Sequence, residues 1–267
     1  MSAVAQKLIE LRQEGRAALI GYLPIGFPTV EESIVAARAL IEAGADILEL
    51  GIPYTDPVMD GEVIQNAVQE ALTNGVKLHD VFTVIRAIAD LGAPILVMTY
   101  FNPIYRYGLR KFGEDLKAAG GSGLITPDLT PDAAQEWIDV ADDLNLDKVF
   151  LVAPSSTTER LALTAHASRG FVYAASTMGV TGERTSLGSH AEELVDRTRQ
   201  AGAELVCVGL GVSKPEQARD VARYADGVIV GSAFVRALLG TQPFEERVRN
   251  LQDVARSLAE GIRSARK

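Results

Sequence analysis

A chain of 267 residues with 47% hydrophobic and 23% charged residues has the size at which one α/β barrel closes around one core, and the composition of a soluble globular enzyme. A net charge of −9 excludes a general nucleic-acid binder, which needs a basic face, and no apolar run reaches the ~18 residues needed to span a bilayer. The single cysteine, Cys207, excludes an intrachain disulfide. The three histidines, His79, His166 and His190, share no metal-ligand spacing, so neither a metal site nor a Ser-His-Asp triad is expected.

The first twenty residues show helical spacing at Leu8, Ile9 and Leu11 and carry charges throughout, unlike a secretory signal. They predict an N-terminal helix on a cytoplasmic protein. Short apolar runs that read as buried strands follow at 17–23, 46–51, 94–100, 122–127, 147–153, 170–176, 203–209 and 226–232. Between them lie helical segments with recognisable starts. Thr29 pairs with Glu32 ahead of a run that closes at Gly44, Thr130-Pro131 opens a helix over "DAAQEWIDVADDL", and Ser213 caps "KPEQARDVARYA". A last helix covers "FEERVRNLQDVARSLAEGIRSA". Eight such units predict a single (β/α)₈ TIM-barrel catalytic domain over residues 1–267, with an extra N-terminal helix; an open doubly wound sheet is the alternative.

The spacing breaks twice. After the second strand there are two helical stretches, "EVIQNAVQEALTNG" and "HDVFTVIRAIADLG", which predict an extra helix in that connection. After the sixth strand comes the Gly/Thr/Ser-rich "TMGVTGERTSLGSH", which reads as an active-site lid. Both follow a strand, on the rim where barrel chemistry resides.

Three glycine-rich loops, "GVTG" (179–182), "GLGVS" (209–213) and "VGSAFVR" (230–236), can aim N–H groups at one phosphate, with Ser232 opening a short helix. Singly, each is as well explained by a tight turn. The stretch "ILELGIPYTDPVMDG" carries Glu49 in a strand and Asp56 and Asp60 in the following loop. Alternation puts Glu49 on one face with Ile47; if that face is the barrel interior, burial should raise its pKa towards neutrality, while a more solvated Asp60 stays ionised. Asp56, before Pro57, fits ordinary turn chemistry better. Pro53, Tyr54 and Pro57, with "YFNPIYRYG" on the neighbouring loop, form an apolar rim patch that reads as an interface.

The run "LELGIPYTDPVMDGEVIQNA" closely resembles the signature of the tryptophan synthase alpha subunit family. "VMTYFNPIYRYG", "MGVTGER", "VGLGVSKPEQ" and "GVIVGSAFVR" resemble its other marked segments in order, so the resemblance covers nearly the whole chain. It implies a lyase that cleaves indole-3-glycerol phosphate to indole and glyceraldehyde 3-phosphate in tryptophan biosynthesis. By motif, Glu49 is the acid/base and Asp60 the carboxylate beside the ring nitrogen. Tyr22, Tyr100, Ile125, Tyr173 and Leu210 match the indole pocket, and Thr181 the lid that closes over Glu49. Gly182, Gly211, Gly231 and Ser232 match the phosphate loops. The resemblance also implies no cofactor in this chain and an α₂β₂ heterotetramer with a pyridoxal-phosphate-containing beta subunit, contacted near Pro53–Asp56 and Asn102-Pro103. A stand-alone indole-3-glycerol phosphate lyase and a silent phosphate-binding barrel that regulates a partner are the alternatives; the second predicts loss of Glu49 or Asp60, and both are present. A sugar-phosphate isomerase barrel would give no reason for the aromatic pocket.

Overall fold

The computed structural model describes residues 2–175, 189–209 and 211–265. In chain order they form α1 (Ala3–Gln13), β1 (Ala18–Pro24), α2 (Val30–Glu42), β2 (Ile47–Gly51), α3 (Glu62–Thr73), α4 (Asp80–Ile88), β3 (Ile95–Met98), α5 (Phe101–Tyr107), α6 (Leu109–Ala119) and β4 (Gly123–Ile125). Then follow α7 (Gln135–Leu144), β5 (Asp147–Val149), β6 (Leu151–Val152), α8 (Thr158–Ala167), β7 (Val172–Ala175), α9 (Ser189–Gln200), β8 (Val206–Gly209), α10 (Pro215–Ala222), β9 (Gly227–Val230), α11 (Ser232–Leu238) and α12 (Phe244–Arg263).

All strand pairs are parallel, in the order β5-β4-β3-β2-β1-β9-β8-β7-β6. β5 and β6 are two halves of one strand interrupted at Phe150, whose carbonyl accepts from the Tyr173 N–H at 3.0 Å, so the ring closes as an eight-stranded TIM barrel. Strand alternation divides the core in two. Ile20, Ile47, Leu96, Ile125, Val149, Cys207 and Ile229 fill the barrel interior, while Leu19, Leu48, Leu50, Val97, Val208 and Val228 face the surrounding helices. Val4, Leu8 and Leu11, at helical spacing on α1, pack with the interior set, so the N-terminal helix plugs one end of the barrel.

The sequence anticipates all eight strands and the paired helices α3 and α4 after β2. The Thr29 hydroxyl caps α2 by accepting from the Glu32 N–H at 3.2 Å, and Gly44 ends the helix at φ +115°. Three expectations need correction. "YFNPIYRYG" is not a loop: it forms α5, with Pro103 in the first turn, where its missing N–H costs nothing, and Gly108 at φ +96° separates α5 from α6. The helix expected at Thr130-Pro131 starts as a 3₁₀ turn, Pro131–Ala133, and becomes α-helical only at Gln135. The cap of α10 falls on Lys214 rather than Ser213, because the Gln217 side chain reaches back and accepts from the N–H groups of both Ser213 (3.0 Å) and Lys214 (3.1 Å).

The plugged end is held by a buried charge cluster. Asp226, ahead of β9, accepts from Arg12 on α1 at 2.9 Å, from Arg199 on α9 at 3.0 Å and from the Val206 N–H at 2.9 Å. One carboxylate therefore ties α1, α9 and two strands together. Asp226→Ala leaves two guanidinium groups and a buried N–H without their acceptor and should lower the unfolding free energy by about 2–4 kcal/mol. Urea unfolding checks this; a loss below about 1 kcal/mol would contradict it.

Candidate active site

The opposite end of the barrel collects the acids. Glu49 lies on the interior face of β2, opposite Tyr22 of β1 and Leu96 of β3, because it follows Ile47 by two residues. Its side chain is fully buried and neither carboxylate oxygen has a hydrogen-bond partner among the described residues. Burial alone pushes its pKa up to about 8, so the resting residue is mostly a neutral acid at pH 7. An unpartnered buried carboxyl is a costly arrangement, and a group that must gain and lose a proton is a physical reason to keep one.

Asp60 ends the loop that leaves β2. The loop is fastened from three sides: the Tyr100 hydroxyl accepts from the Met59 N–H at 2.9 Å, the Gln65 amide donates to the Asp60 carbonyl at 2.7 Å, and the Asp60 N–H donates to the Pro57 carbonyl at 3.1 Å. Contrary to the expected solvated group, Asp60 is partly buried, and desolvation raises its pKa to about 6. That value still lies below neutrality, so the two acids differ at pH 7: Glu49 holds its proton and Asp60 has lost it. Asp56 is exposed and accepts from the Thr55 hydroxyl at 2.7 Å, as its turn position implies.

Three buried tyrosines surround the pair. Burial, then the charge of Asp60, holds the Tyr22 phenol well above its ordinary range and pushes Tyr100 up to about 12; burial, then Glu49, does the same for Tyr173. All three remain protonated donors. Tyr54 stacks against Tyr100 with ring centroids 5.4 Å apart. Ile125 is fully buried in the interior set and forms part of the apolar floor.

The candidate phosphate end is formed by neighbouring loops. Gly211 adopts φ +65°, which disfavours any side chain. Gly231 caps α11, its carbonyl accepting from the N–H groups of Phe234 (2.9 Å) and Val235 (3.1 Å), and Ser232 is buried at the first helical position. Thr181, Gly182 and Leu210, with most of the expected lid, lie outside the described residues.

Sequence reasoning missed the packing role of Gly51 and of Gly209, the latter read only as part of a glycine-rich loop. A Cβ at Gly51 would collide with the Tyr22 hydroxyl, and one at Gly209 with the Tyr173 hydroxyl, so each glycine makes room for a phenol beside the acids. The available signal was a glycine ending an otherwise apolar strand, in "ELG" and "CVG". Gln65 was also missed; nothing in a helical run marks an amide that folds back onto a preceding loop. Among the described residues no group of three or more His, Cys, Asp or Glu side chains could hold a metal ion, and no helix is long and apolar enough to cross a membrane.

Known proteins resemble this chain in sequence and fold over nearly its full length. The sequence profile of the tryptophan synthase alpha chain family matches residues 8–263. The tryptophan synthase alpha chain of Thermobifida fusca is 52% identical over 99% of each chain, and that of Mycobacterium marinum is 54% identical over 94% of this chain and 91% of its own. A solved structure of Mycobacterium tuberculosis tryptophan synthase superposes with a TM-score of 0.92 at 51% identity, covering 98% of both chains. Subunit alpha from Legionella pneumophila reaches a TM-score of 0.89 at 28% identity, covering 98% of this chain and 99% of its own. Full-length coverage, identity above one half and the same barrel lead to one conclusion: this chain belongs to the tryptophan synthase alpha chain family.

Proposed function

We propose that Glu49 and Asp60 carry out the reaction of that family, the cleavage of indole-3-glycerol phosphate to indole and glyceraldehyde 3-phosphate. The observation that carries this reading is the protonated, unpartnered Glu49 in the barrel mouth, with a second carboxyl of lower pKa on the adjoining loop. The Glu49 acid protonates the ring carbon that bears the glycerol chain, which makes the ring an iminium cation. Asp60, ionised, faces the ring N–H and stabilises that charge by about 3–4 kcal/mol, the size usual for such electrostatic contacts. The Glu49 carboxylate then takes the proton of the adjacent glycerol hydroxyl. As the aldehyde forms, the electrons of the broken carbon–carbon bond return to the ring, and indole leaves with Glu49 reprotonated.

Tyr22, Tyr100, Ile125, Tyr173 and Leu210 enclose the indole ring, and Gly182, Gly211, Gly231 and Ser232 hold the phosphate through backbone N–H groups, which suits an acidic protein. Thr181 belongs to the segment that covers Glu49. The whole chain acts as one catalytic domain in the cytoplasm, takes no cofactor of its own, and binds neither nucleic acid nor membrane.

The partner is a tryptophan synthase beta chain carrying pyridoxal phosphate, in an α₂β₂ heterotetramer. Its docking face is the rim between the Asp60 loop and α5: of the residues expected there Pro53 is buried and Pro57 half-buried, whereas Asp56 and Asn102 are exposed, as are Tyr105 (60%) and the neighbouring Val58 (72%). A groove of about 310 Å³ beside them is lined by Phe101, Asn102, Tyr105, Asp128 and Leu129. Asn102 donates to the Tyr54 hydroxyl at 3.1 Å and Asp128 caps the Phe101 N–H, so pressure on this face reaches the Asp60 loop through Tyr54 and Tyr100.

Glu49→Gln should lower kcat about 10³-fold or more while retaining affinity for a phosphorylated ligand, and Asp60→Asn should cost about 10²–10³-fold. Wild-type rates in either variant would overturn the assignment. The kcat/KM profile of the wild type should be bell-shaped, with an acid limb near the Asp60 pKa of about 6 and a basic limb near the Glu49 pKa of about 8. The same pKa has a stability consequence. A carboxyl whose folded-state value is raised favours the fold at low pH, and that favour is lost as pH rises from about 4.5 to about 8. Glu49→Gln should therefore be more stable than wild type at pH 8.5 by roughly 3–5 kcal/mol and within about 1 kcal/mol of it at pH 5. Denaturant unfolding at the two pH values checks this, and an equal difference at both would contradict it. Finally, indole release should rise and saturate as beta chain is added; a rate already high and unaffected by it would favour the stand-alone lyase.

A further inference from the structure

Asp60 reaches the site on a loop, and a carboxyl so carried is only as well placed as the contacts that hold the loop. Among the described residues, two side-chain hydrogen bonds reach residues 53–60 from outside the loop and α3, and both come from one short segment after β3. The Tyr100 hydroxyl accepts from the Met59 N–H at 2.9 Å, and the Asn102 amide donates to the Tyr54 hydroxyl at 3.1 Å. Phe101, between them, is pinned in turn by Asp128 from beyond β4, whose two carboxylate oxygens accept from its N–H at 2.9 and 3.1 Å. The rings of Tyr54 and Tyr100 meet with centroids 5.4 Å apart. Residues 100–102 thus form a clamp on the loop.

Its two jaws differ. Asn102 is exposed and Tyr54 half-buried, whereas Tyr100 is 7% exposed, and a hydrogen bond shielded from water is the stronger one. The Tyr100 bond is also the nearer to the chemistry, since the N–H it accepts belongs to the residue directly before Asp60. The groups that feel the Asp60 charge are the phenols of Tyr22 on β1, Tyr100 and Tyr173 on β7; Glu49 acts on Tyr22 and Tyr173, and Asp128 on Tyr100. None of these neighbours is a cation. Burial alone raises the Asp60 pKa to about 6, so that value reads how deep the loop holds the carboxyl.

We propose that Tyr100 is a positioning residue, a role that rests on the assignment of Asp60 above: by accepting from the Met59 N–H, its hydroxyl holds the loop against the barrel mouth and keeps Asp60 facing the ring nitrogen of the substrate. This function belongs to the oxygen of Tyr100, apart from the ring that walls the indole pocket. Without the oxygen the Met59 N–H loses its acceptor, and the loop spends more time lifted into water. Water favours ionised Asp60, so its pKa falls from about 6 towards the ordinary 3.8, while fewer molecules hold the carboxylate in place. A lower rate plateau therefore comes with an acid limb moved to lower pH. A ring that acted only by packing would leave the limb where it is.

The test is the kcat/KM profile for indole-3-glycerol phosphate cleavage by the full chain with saturating beta chain, for wild type, Tyr100→Phe and Asp60→Asn. Tyr100→Phe removes one oxygen and keeps the ring, so its affinity for indole, read by competitive inhibition, should be unchanged. Its plateau should fall about 2- to 10-fold, the effect of losing one hydrogen bond, and its acid limb should move down by up to about one pH unit with the basic limb in place. An acid limb that stays put or moves up, or a loss confined to indole affinity, would overturn the proposal and return Tyr100 to the pocket wall. Asp60→Asn separates the two levels: if its residual activity loses the acid limb while Tyr100→Phe leaves it unmoved, the Asp60 assignment stands and the Tyr100 role falls. If Asp60→Asn keeps the limb, both fall.

Discussion

A carboxyl with no hydrogen-bond partner among the described residues, fully enclosed in the mouth of a barrel, is the constraint from which the rest of the structure can be understood. Glu49 rests there as a neutral acid, since ionising an unpaired carboxyl in an apolar interior costs several kcal/mol more than ionising it in water. Everything around it preserves that state. The neighbouring interior positions are apolar, the surrounding tyrosines are uncharged donors, and no lysine or arginine in the described structure lowers its pKa. The second acid is kept off the strand, on a loop whose partial burial raises its pKa less. Two carboxyl groups eleven residues apart are thereby given different protonation states by depth.

The two ends of the barrel divide their tasks. At one end α1 inserts Val4, Leu8 and Leu11 into the interior, and Asp226 with Arg12 and Arg199 binds helix to sheet through paired, satisfied charges. At the other, charges are unpaired, glycines replace side chains at strand ends, and loops are fastened by single hydrogen bonds such as those of Tyr100 and Gln65. Stability is concentrated where no chemistry is needed, and at the mouth the two unsatisfied oxygens of Glu49 lie where a substrate can satisfy them.

Much of this was legible in the sequence for identifiable reasons. Fully buried strands announce themselves as short apolar runs, and the Thr29–Glu32 cap is a local signal read from four residues. Glu49 was legible because a carboxylate in such a run conflicts with its surroundings, and conflicts of that kind mark function. The failures share a cause: they depend on contacts between distant segments. Asp60 is less solvated than its loop implies because the loop is drawn in by contacts from elsewhere, the Tyr100 hydroxyl beyond β3 accepting from the Met59 N–H beside it. The aromatic run after β3 looked like a loop because Pro103 and Gly108 are turn residues, yet Asp128, contributed from beyond β4, caps its first turn and makes it a helix. Pro53 is covered by packing that no local pattern reveals, so the exposed apolar residues of the rim are Val58 and, from the expected aromatic run, Tyr105.

The central claim is that Glu49 is a neutral acid at rest, and it can be observed without turnover. Infrared titration of the ligand-free protein, taken as the difference between wild type and Glu49→Gln, isolates the carbonyl band of this one protonated carboxyl. The band should persist through neutrality and disappear with a midpoint near pH 8. A band already lost near pH 4.5, the ordinary value for a glutamate, would show that the residue rests as a carboxylate and would contradict the account.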